Sequence, residues 1–309
     1  MTVVYKSIDT MKASRDSASW TNQQKIDHCN AIVLNVPDIT HITMDCCYNN
    51  PGWQSPTYVQ EWCDAIHQTG KKIWFRGVSH ASEIKETISA AESITIVVSE
   101  VHNNPNWFQD GDIFEYWPES SPYGFTDGWD NSTVEWSQWH SDMISALNTE
   151  FSVMGKNVIT SIQSIVSSYW TQGDVKQSAL TAFDNKISID WYPLDSTDPY
   201  KAARGMLVTL NKLHESYPTA DIIISEIGCA NTINLTDIQQ REVLRFALNT
   251  ISQLSYVKGL NYWAGYLALG GGGYTNLFKT DSKTEPRPAL KMLSEFFTKG
   301  VCNERIKIV

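Results

Sequence analysis

Short apolar runs rich in β-branched residues recur along the chain, and longer stretches with helical character separate them. Runs of this kind are typical of strands that are buried on both faces of a parallel sheet. They predict eight strands, at 3–9, 40–46, 72–78, 112–117, 157–162, 187–191, 221–226 and 258–263. In the seventh of these, three consecutive isoleucines precede Ser225 and Glu226.

The stretches between the strands carry ordinary helix signals. Pro56 suits the first turn of a helix, and Gly70 suits the position just past its end. The segment 82–102 is ambiguous, because it contains the β-branched run 94–98. We predict one helix over the whole segment, since no turn residue divides it.

Eight strand–helix units predict an α/β protein with a (β/α)₈ TIM barrel, in which residues 1–309 form a single domain. The alternative is an open, doubly wound sheet. The chain has no glycine-rich dinucleotide-binding turn after its first strand, which favours the barrel.

Charge and composition narrow the range of partners. The net charge of −10 argues against nucleic acid or an anionic membrane as a partner. No apolar run approaches the ~20 residues of a membrane span, and the first residues lack the pattern of a signal peptide. We therefore expect a cytoplasmic protein, or a secreted one whose leader has been removed. The spacing of the six cysteines fits neither paired CxxC motifs nor a zinc site, so we expect mostly buried free thiols.

In a barrel, catalytic side chains lie at the carboxyl ends of the strands. The predicted strands end at two acids, Glu119 and Glu226, and at Arg76 with His80 just beyond it. Other strand-end candidates are Glu115, Trp117, Tyr192 and Trp263. Two carboxyl groups that flank a glycosidic bond are what glycoside hydrolysis requires, and the 12 tryptophans include rings that could stack on sugars. These residues indicate an oligo- or polysaccharide substrate, and no cofactor or metal ion is expected.

Several of these motifs resemble those of the clan A glycoside hydrolases, retaining (β/α)₈ enzymes that act mostly on β-linked sugars. The resemblance implies that Glu119, in 114–119, is the general acid/base and that Glu226, in Ser-Glu-Ile-Gly, is the nucleophile. It implies that Tyr192 is the aromatic partner of the nucleophile, Trp263 is a sugar platform and Arg76 is the active-site arginine.

The chain departs from the family pattern at one position. Pro118 stands where such enzymes have an asparagine that contacts the sugar 2-hydroxyl. That hydrogen bond is then either missing or supplied by another residue, with His80, Asn49 and the loop 120–131 as the candidates. This leaves open a catalytically silent barrel that binds glycans. A third hypothesis is a chitinase-like enzyme that uses Glu115 as its acid, because 110–115 faintly resembles the strand-four signature of family 18 chitinases.

Overall fold

The computed structural model describes residues 3–10, 20–46, 55–77, 88–120, 133–191, 198–228, 236–263, 276–279 and 284–302. Its sheet contains seven parallel strands in the order β4-β3-β2-β1-β7-β6-β5. They are β1 (Tyr5–Asp9), β2 (His41–Cys46), β3 (Lys72–Gly77), β4 (Ile113–Glu115), β5 (Lys186–Trp191), β6 (Asp221–Ile227) and β7 (Val257–Tyr262). This order confirms the predicted run of neighbouring parallel strands in a curled sheet.

An irregular stretch, 157–165, lies between the two edge strands. Ile159 forms a parallel bridge with Ile113 of β4, and Ser164 forms one with Ser188 of β5. The prediction of a regular strand at 157–162 was therefore wrong, although the segment occupies the place of the eighth strand. We call 157–165 the closing segment, because it connects both edges of the sheet.

Side chains replace part of the backbone ladder along the closing segment. The amide of Tyr116 donates to Oε1 of Gln163 at 3.0 Å, and Nε2 of Gln163 donates to the carbonyl of Phe114 at 2.9 Å. The amide of Ser164 donates to Oε1 of Glu115 at 2.8 Å. Buried backbone groups need partners, and here side chains supply them without a continuous strand.

Nine α-helices lie within the described residues and connect or flank the strands. They are α1 (Asn22–Asn35), α2 (Pro56–His67), α3 (Ala90–Asn103), α4 (Thr133–Val153), α5 (Ser167–Gln172), α6 (Gln177–Ala182), α7 (Pro199–Ser216), α8 (Asp237–Ile251) and α9 (Pro288–Lys299). Among the described helices, none is long and apolar enough to cross a bilayer.

Several helices begin where a side chain accepts a hydrogen bond from a free backbone N–H group of the first turn. Thr21 caps α1 in a reciprocal arrangement with Gln24, and Thr236 does the same for α8 with Gln239. Ser89 caps α3, so this helix begins at Ala90 and not at residue 82. The β-branched run 94–98 is nevertheless helical, as predicted.

The core has two parts. A large cluster fills the space between the sheet and its helices. A smaller cluster, formed by Trp74, Ile113, Ile162 and Ile223, joins side chains of β3, β4, the closing segment and β6. Gly259 is required at its position in β7, because a β-carbon there would lie 2.9 Å from Ile223.

Four of the six cysteines lie in the described residues, and all four are buried free thiols: Cys29, Cys46, Cys63 and Cys302. This agrees with the prediction. The other two, Cys47 and Cys229, lie outside the described residues.

Candidate active site

Two acids occupy neighbouring strand ends on β5 and β6. Asp190 and Glu226 are direct register partners, so their side chains lie on the same face of the sheet. The register shifts between Ile189 and Asp190, which leaves Ser225 as an extra residue on β6. Such a bulge re-aims the side chains around it. It allows both acids to reach the same place while three isoleucines of β6 remain buried.

Glu119 approaches the same place from the end of β4. Its backbone has a positive φ of 54°, a left-handed conformation that is uncommon for residues other than glycine. Its amide is held by the closing segment, where it donates to the carbonyl of Ser164 at 3.0 Å. Strained backbone of this kind is often found at functional sites.

The next residue, Ser120, is fixed in a buried network. Its hydroxyl group is hydrogen-bonded to Nε2 of His140 at 2.9 Å and accepts a hydrogen bond from Nε1 of Trp136 at 3.3 Å. The other ring nitrogen of His140 is hydrogen-bonded to the hydroxyl group of Tyr116. Burial lowers the pKa of His140 to about 3, so the ring stays neutral near pH 7. The network holds the turn that carries Glu119 from both sides.

Carboxylate oxygens of Glu119, Asp190 and Glu226 all lie within 4.8 Å of one another. Glu226 is buried, Asp190 is partly exposed and Glu119 is exposed. The three acids therefore form one cluster that opens towards solvent on the Glu119 side.

Arg76 of β3 neutralises part of this negative charge. Its Nη1 atom contacts Oε1 of Glu226 and lies 3.8 Å from Oδ2 of Asp9. Its Nε atom donates to Oε2 of Glu115 at 3.1 Å. Burial disfavours the charged guanidinium, but Glu226, Glu115, Asp190 and Asp9 outweigh that effect and raise the pKa of Arg76.

Glu115 is fully buried, and protein groups occupy both of its oxygens. Oε2 accepts from Nε1 of Trp74 at 3.1 Å and from Arg76, while Oε1 accepts from the amide of Ser164. The carboxylate thus connects β3, β4 and the closing segment, and it acts as a structural anchor for Arg76.

Burial raises the pKa values of both Glu226 and Asp190. Burial raises the pKa of Asp190 to about 8. The nearby charges of Glu115 and Glu119 add to this rise, and the charge of Arg76 opposes it. For Glu226 the neighbouring acids also add to the effect of burial, and Arg76 opposes it. The guanidinium of Arg76 contacts Glu226 directly, and this contact is the influence that favours the ionised form of that carboxyl group.

A series of hydrogen-bonded polar groups connects Asp190 with the neighbouring strands in the barrel interior. The hydroxyl group of Ser225 donates to Oδ1 of Asp190 at 2.8 Å, and Nδ2 of Asn261 donates to the carbonyl of Ser225 at 2.9 Å. Thr43 donates to Oδ1 of Asn261 at 3.0 Å and is itself hydrogen-bonded to Ser7. These buried bonds fix the orientation of Asp190 relative to β7 and β2.

The predicted sugar-binding residues have different surroundings. Trp117 is only 3% exposed and packs edge-on against Trp139, so almost none of its ring surface is open to solvent. Trp263 follows β7 and is partly exposed. His80 and Tyr192 lie outside the described residues.

Asp190 is the acid of this cluster that was not among the predicted site residues. The signal was present, because Asp190 ends a buried strand in the same way as Glu226 does. Only the register of β5 against β6 distinguishes it from an acid that simply faces solvent.

The three carboxylates have the spacing of ligands for a hard divalent cation. The guanidinium of Arg76 already lies against Glu226, however, and its positive charge would repel such an ion. The arrangement is better suited to proton transfer and nucleophilic attack.

A separate cavity of about 710 Å³ lies at the other end of the strands. Its lining includes Tyr5 and Lys186, the first residues of β1 and β5. The amine of Lys186 is paired with Asp184, and that of Lys156 is hydrogen-bonded to the carbonyl of Pro105. The lysines of this cavity are therefore already engaged.

The fold is similar to that of solved glycoside hydrolases. A β-glucuronidase from Ruminococcus gnavus, in complex with D-glucuronic acid, matches with a TM-score of 0.66 at 9% identity, over 96% of this chain and 49% of the other. A GH113 β-1,4-mannanase matches with a TM-score of 0.65 at 10% identity, over 97% of this chain and 100% of the other. The Bifidobacterium dentium β-glucuronidase, complexed with coumarin-3-O-glucuronide, gives a TM-score of 0.65 at 11% identity, over 96% of this chain and 47% of the other.

This chain spans about half the length of the glucuronidases that it matches. No protein-family model and no curated protein matches the sequence. At these identities the likeness shows the fold alone, and it confirms the predicted (β/α)₈ barrel.

Proposed function

We propose that the protein is a retaining glycoside hydrolase that cleaves a β-linked glycan by double displacement. One observation carries this proposal: carboxylate oxygens of Glu119 and Glu226, from the ends of two different strands, lie within 4.8 Å of each other. Retaining enzymes place their two carboxyl groups ~5–5.5 Å apart, whereas inverting enzymes need ~6.5–9.5 Å to admit a water molecule. The short separation favours the retaining reaction.

Glu226 acts as the nucleophile. Its contact with Arg76 favours the ionised form, and its burial keeps the carboxylate away from bulk water. The carboxylate attacks the anomeric carbon and forms a glycosyl–enzyme ester as the bond to the leaving oxygen breaks.

Glu119 acts as the general acid and then as the general base. It gives its proton to the leaving oxygen in the first step and takes a proton from the attacking water in the second. Its greater exposure suits this role, because the leaving group and the water molecule both arrive from solvent. The water attacks the anomeric carbon, and Glu226 is released as a carboxylate.

The chitinase-like alternative requires Glu115 to be the acid. Both oxygens of Glu115 are already bound to Trp74, Arg76 and Ser164, and the side chain is fully buried. A proton donor needs a free path to the leaving oxygen, so this environment argues against a catalytic Glu115.

The silent-barrel alternative is favoured by Pro118, which offers no side-chain donor to a sugar hydroxyl. A hydrolysis screen with aryl β-glycosides and β-linked polysaccharides distinguishes a silent glycan-binding barrel from an active glycosidase. The expected result is hydrolysis that is lost in Glu226→Gln and strongly reduced in Glu119→Gln. A complete lack of hydrolysis by the folded wild-type protein contradicts the proposed activity.

Two further measurements assign the roles. Proton NMR of the first-formed product should show the β-anomer, which establishes retention. A 2-fluoro glycoside of the preferred sugar should leave a covalent label on Glu226, detected by mass spectrometry of peptides. A label on Glu119 or Asp190 contradicts this assignment. The Asp184→Asn variant, in which an 81% exposed side chain before the start of β5 is changed, is the control that must retain any label on Glu226.

A further inference from the structure

Asp190 stands beside the proposed nucleophile, and the double displacement described above gives it no role. It is the register partner of Glu226, and one carboxylate oxygen of each lies within 4.8 Å of the other. Its Oδ1 atom accepts from the hydroxyl group of Ser225 at 2.8 Å, whereas its Oδ2 atom is buried and has no hydrogen-bond partner among the described residues. A buried polar atom of this kind is costly unless a ligand or water satisfies it.

The charge of the cluster favours a neutral Asp190. Carboxylate oxygens of Glu119, Asp190 and Glu226 lie within 4.8 Å of one another, and the guanidinium of Arg76 contacts Glu226 and donates to Glu115. Like charges at this distance favour a proton on one of them. Burial, together with the charges of neighbouring acids, raises the pKa of Asp190 to about 8. Because Oδ1 already accepts a hydrogen bond, the proton of the neutral acid belongs on Oδ2.

A hydroxyl group fits between Asp190 and Glu226 in length and in its number of donors. An O–H···O bond is ~2.7–2.8 Å long, so one hydroxyl oxygen can be bonded to two carboxyl oxygens that are up to ~5.5 Å apart. A hydroxyl group has one proton to give, so it donates to one acid and must accept from the other. A neutral Asp190 and an ionised Glu226 meet this requirement, and two carboxylates do not.

The sugar 2-hydroxyl group is the hydroxyl that reaches this position. In a reactive complex the anomeric carbon lies ~3–3.5 Å from the attacking oxygen. Its two ring neighbours are the ring oxygen, which has no proton, and the carbon that carries the 2-hydroxyl group. Hydrogen bonds to this hydroxyl strengthen in the transition state of glycoside hydrolysis. Pro118, directly before the proposed acid/base, has no side-chain donor for it.

We propose, on the basis of the glycosidase function above, that Asp190 donates a hydrogen bond from Oδ2 to the sugar 2-hydroxyl group, which in turn donates to Glu226. Ser225 holds the carboxyl group in the required orientation through its bond to Oδ1. The site then selects glycans that carry a free 2-hydroxyl group on the sugar whose bond is cleaved.

Imino sugars test this contact without turnover, and their ammonium groups suit an acidic site. 1-Deoxynojirimycin and 1-deoxymannojirimycin carry the 2-hydroxyl group in its two configurations, and fagomine is the matched compound that lacks it. Isothermal titration calorimetry at pH 7 gives the three affinities. The better of the two hydroxylated compounds should bind about tenfold more tightly than fagomine, since one net hydrogen bond is worth roughly that factor.

Three variants assign this preference to Asp190. Asp190→Ala removes the donor and should abolish most of the preference. Asp190→Asn should keep it, because Ser225 donates to the amide oxygen at the place of Oδ1 and leaves the NH₂ group at the place of Oδ2. Asp184→Asn changes an 81% exposed side chain before the start of β5 and should leave the preference unchanged.

A pH series distinguishes a neutral donor from an ionised acceptor. The wild-type preference should fall as the pH rises past about 8, where Asp190 loses its proton. Among the described residues, the charged groups that act on this carboxyl group are Arg76, Glu115, Glu119 and Glu226. Asp190→Asn keeps all four, so dividing by its preference at each pH removes their titration and that of the probes. This series also decides the matter if Asp190→Ala fails to fold.

The binding results and the hydrolysis screen can fail separately. A preference that survives in Asp190→Ala, disappears in Asp190→Asn, or stays constant with pH relative to Asp190→Asn overturns the role of Asp190. If the preference behaves as expected and no glycoside is hydrolysed, the contact stands and the glycosidase function fails. If glycosides are hydrolysed but fagomine binds as well as both hydroxylated compounds, the function stands and the contact is wrong. If none of the three binds at millimolar concentration, the contact is also wrong, whatever the hydrolysis screen shows.

Discussion

The guanidinium of Arg76 contacts the carboxylate of Glu226, although β2, β1 and β7 lie between their strands in the sheet. The contact therefore reaches across the interior of the barrel, and it pairs the proposed nucleophile with a cation before substrate arrives. Arg76 is held in turn by Glu115, its register partner on β4. One buried cation thus connects the strand that carries the proposed nucleophile with the strand that precedes the proposed acid/base.

Replacing Arg76 by methionine should be strongly destabilising. It leaves the buried carboxylates of Glu226, Glu115 and Asp9 without their counter-charge. Removing one partner of a buried ion pair costs ~3–5 kcal/mol. Urea denaturation measures this loss, and activity assays should show that Arg76→Lys, which cannot bridge two carboxylates through a planar fork, also loses turnover.

Arg245→Met is the matched control for that experiment. Arg245 pairs with Glu242 on α8, where both side chains are partly exposed. Pairs of this kind contribute ~0–1 kcal/mol, so the control should unfold close to wild type. A loss at Arg76 no larger than that at Arg245 would contradict the role of Arg76 as the counter-charge of the barrel interior.

The left-handed backbone conformation of Glu119 should reduce the stability of the folded protein. Its φ of 54° costs an ordinary L-residue roughly 1–2 kcal/mol, while asparagine tolerates this region better. We therefore expect Glu119→Asn to be more stable than Glu119→Gln by roughly 1 kcal/mol, with both variants inactive or nearly so. Thermal and urea unfolding compare the two uncharged variants directly.

The same pair of substitutions at Glu242, in the middle of α8, is the control. Glutamine has the higher helix propensity, so Glu242→Gln should there be the more stable variant. If asparagine and glutamine rank in the same order at both positions, the difference at 119 does not come from its left-handed backbone.

Stability should depend on pH through Asp190. Burial raises its pKa to about 8 in the folded protein, whereas the unfolded chain loses this proton near pH ~4. Between these values the folded state holds a proton that the unfolded state does not, so the free energy of unfolding falls as pH rises. Asp190→Asn removes this dependence, and its stability relative to wild type should grow from about pH 4 to about pH 8.

Urea titrations at several pH values across that window provide the measurement. A relative stability of Asp190→Asn that stays flat or shrinks with rising pH would show that Asp190 is ionised in the folded protein. Asp184→Asn, whose side chain is 81% exposed, should give a flat difference over the same range.

His140 should have the opposite pH dependence. Burial lowers its pKa to about 3, so between about pH 6.5 and pH 3 the unfolded chain binds a proton that the folded protein does not. Stability is then lost as pH falls through this window. The loss per pH unit should be smaller in His140→Gln, and NMR should find the wild-type ring neutral down to about pH 3. An imidazolium signal at pH 5 in the folded protein would contradict this.

The strands were predictable where burial and β-branching agree. Strands such as β2 and β6 begin and end within one residue of their predicted limits. A continuous apolar run rich in isoleucine is typical of a strand that is buried on both faces. The closing segment was not predictable as an irregular element. Its ladder depends on the side chains of Gln163 and Glu115, which local patterns do not reveal.

The sequence by itself determined that carboxylates stand at the ends of buried strands, and that a barrel would gather those ends at one mouth. It could not distinguish Glu115, locked between Arg76 and the closing segment, from Glu119, which is exposed beside Glu226. Nor could it show that the bulge at Ser225 brings Asp190 beside Glu226. Those outcomes depend on register and ring closure, which bring together residues from distant parts of the chain and leave no local trace.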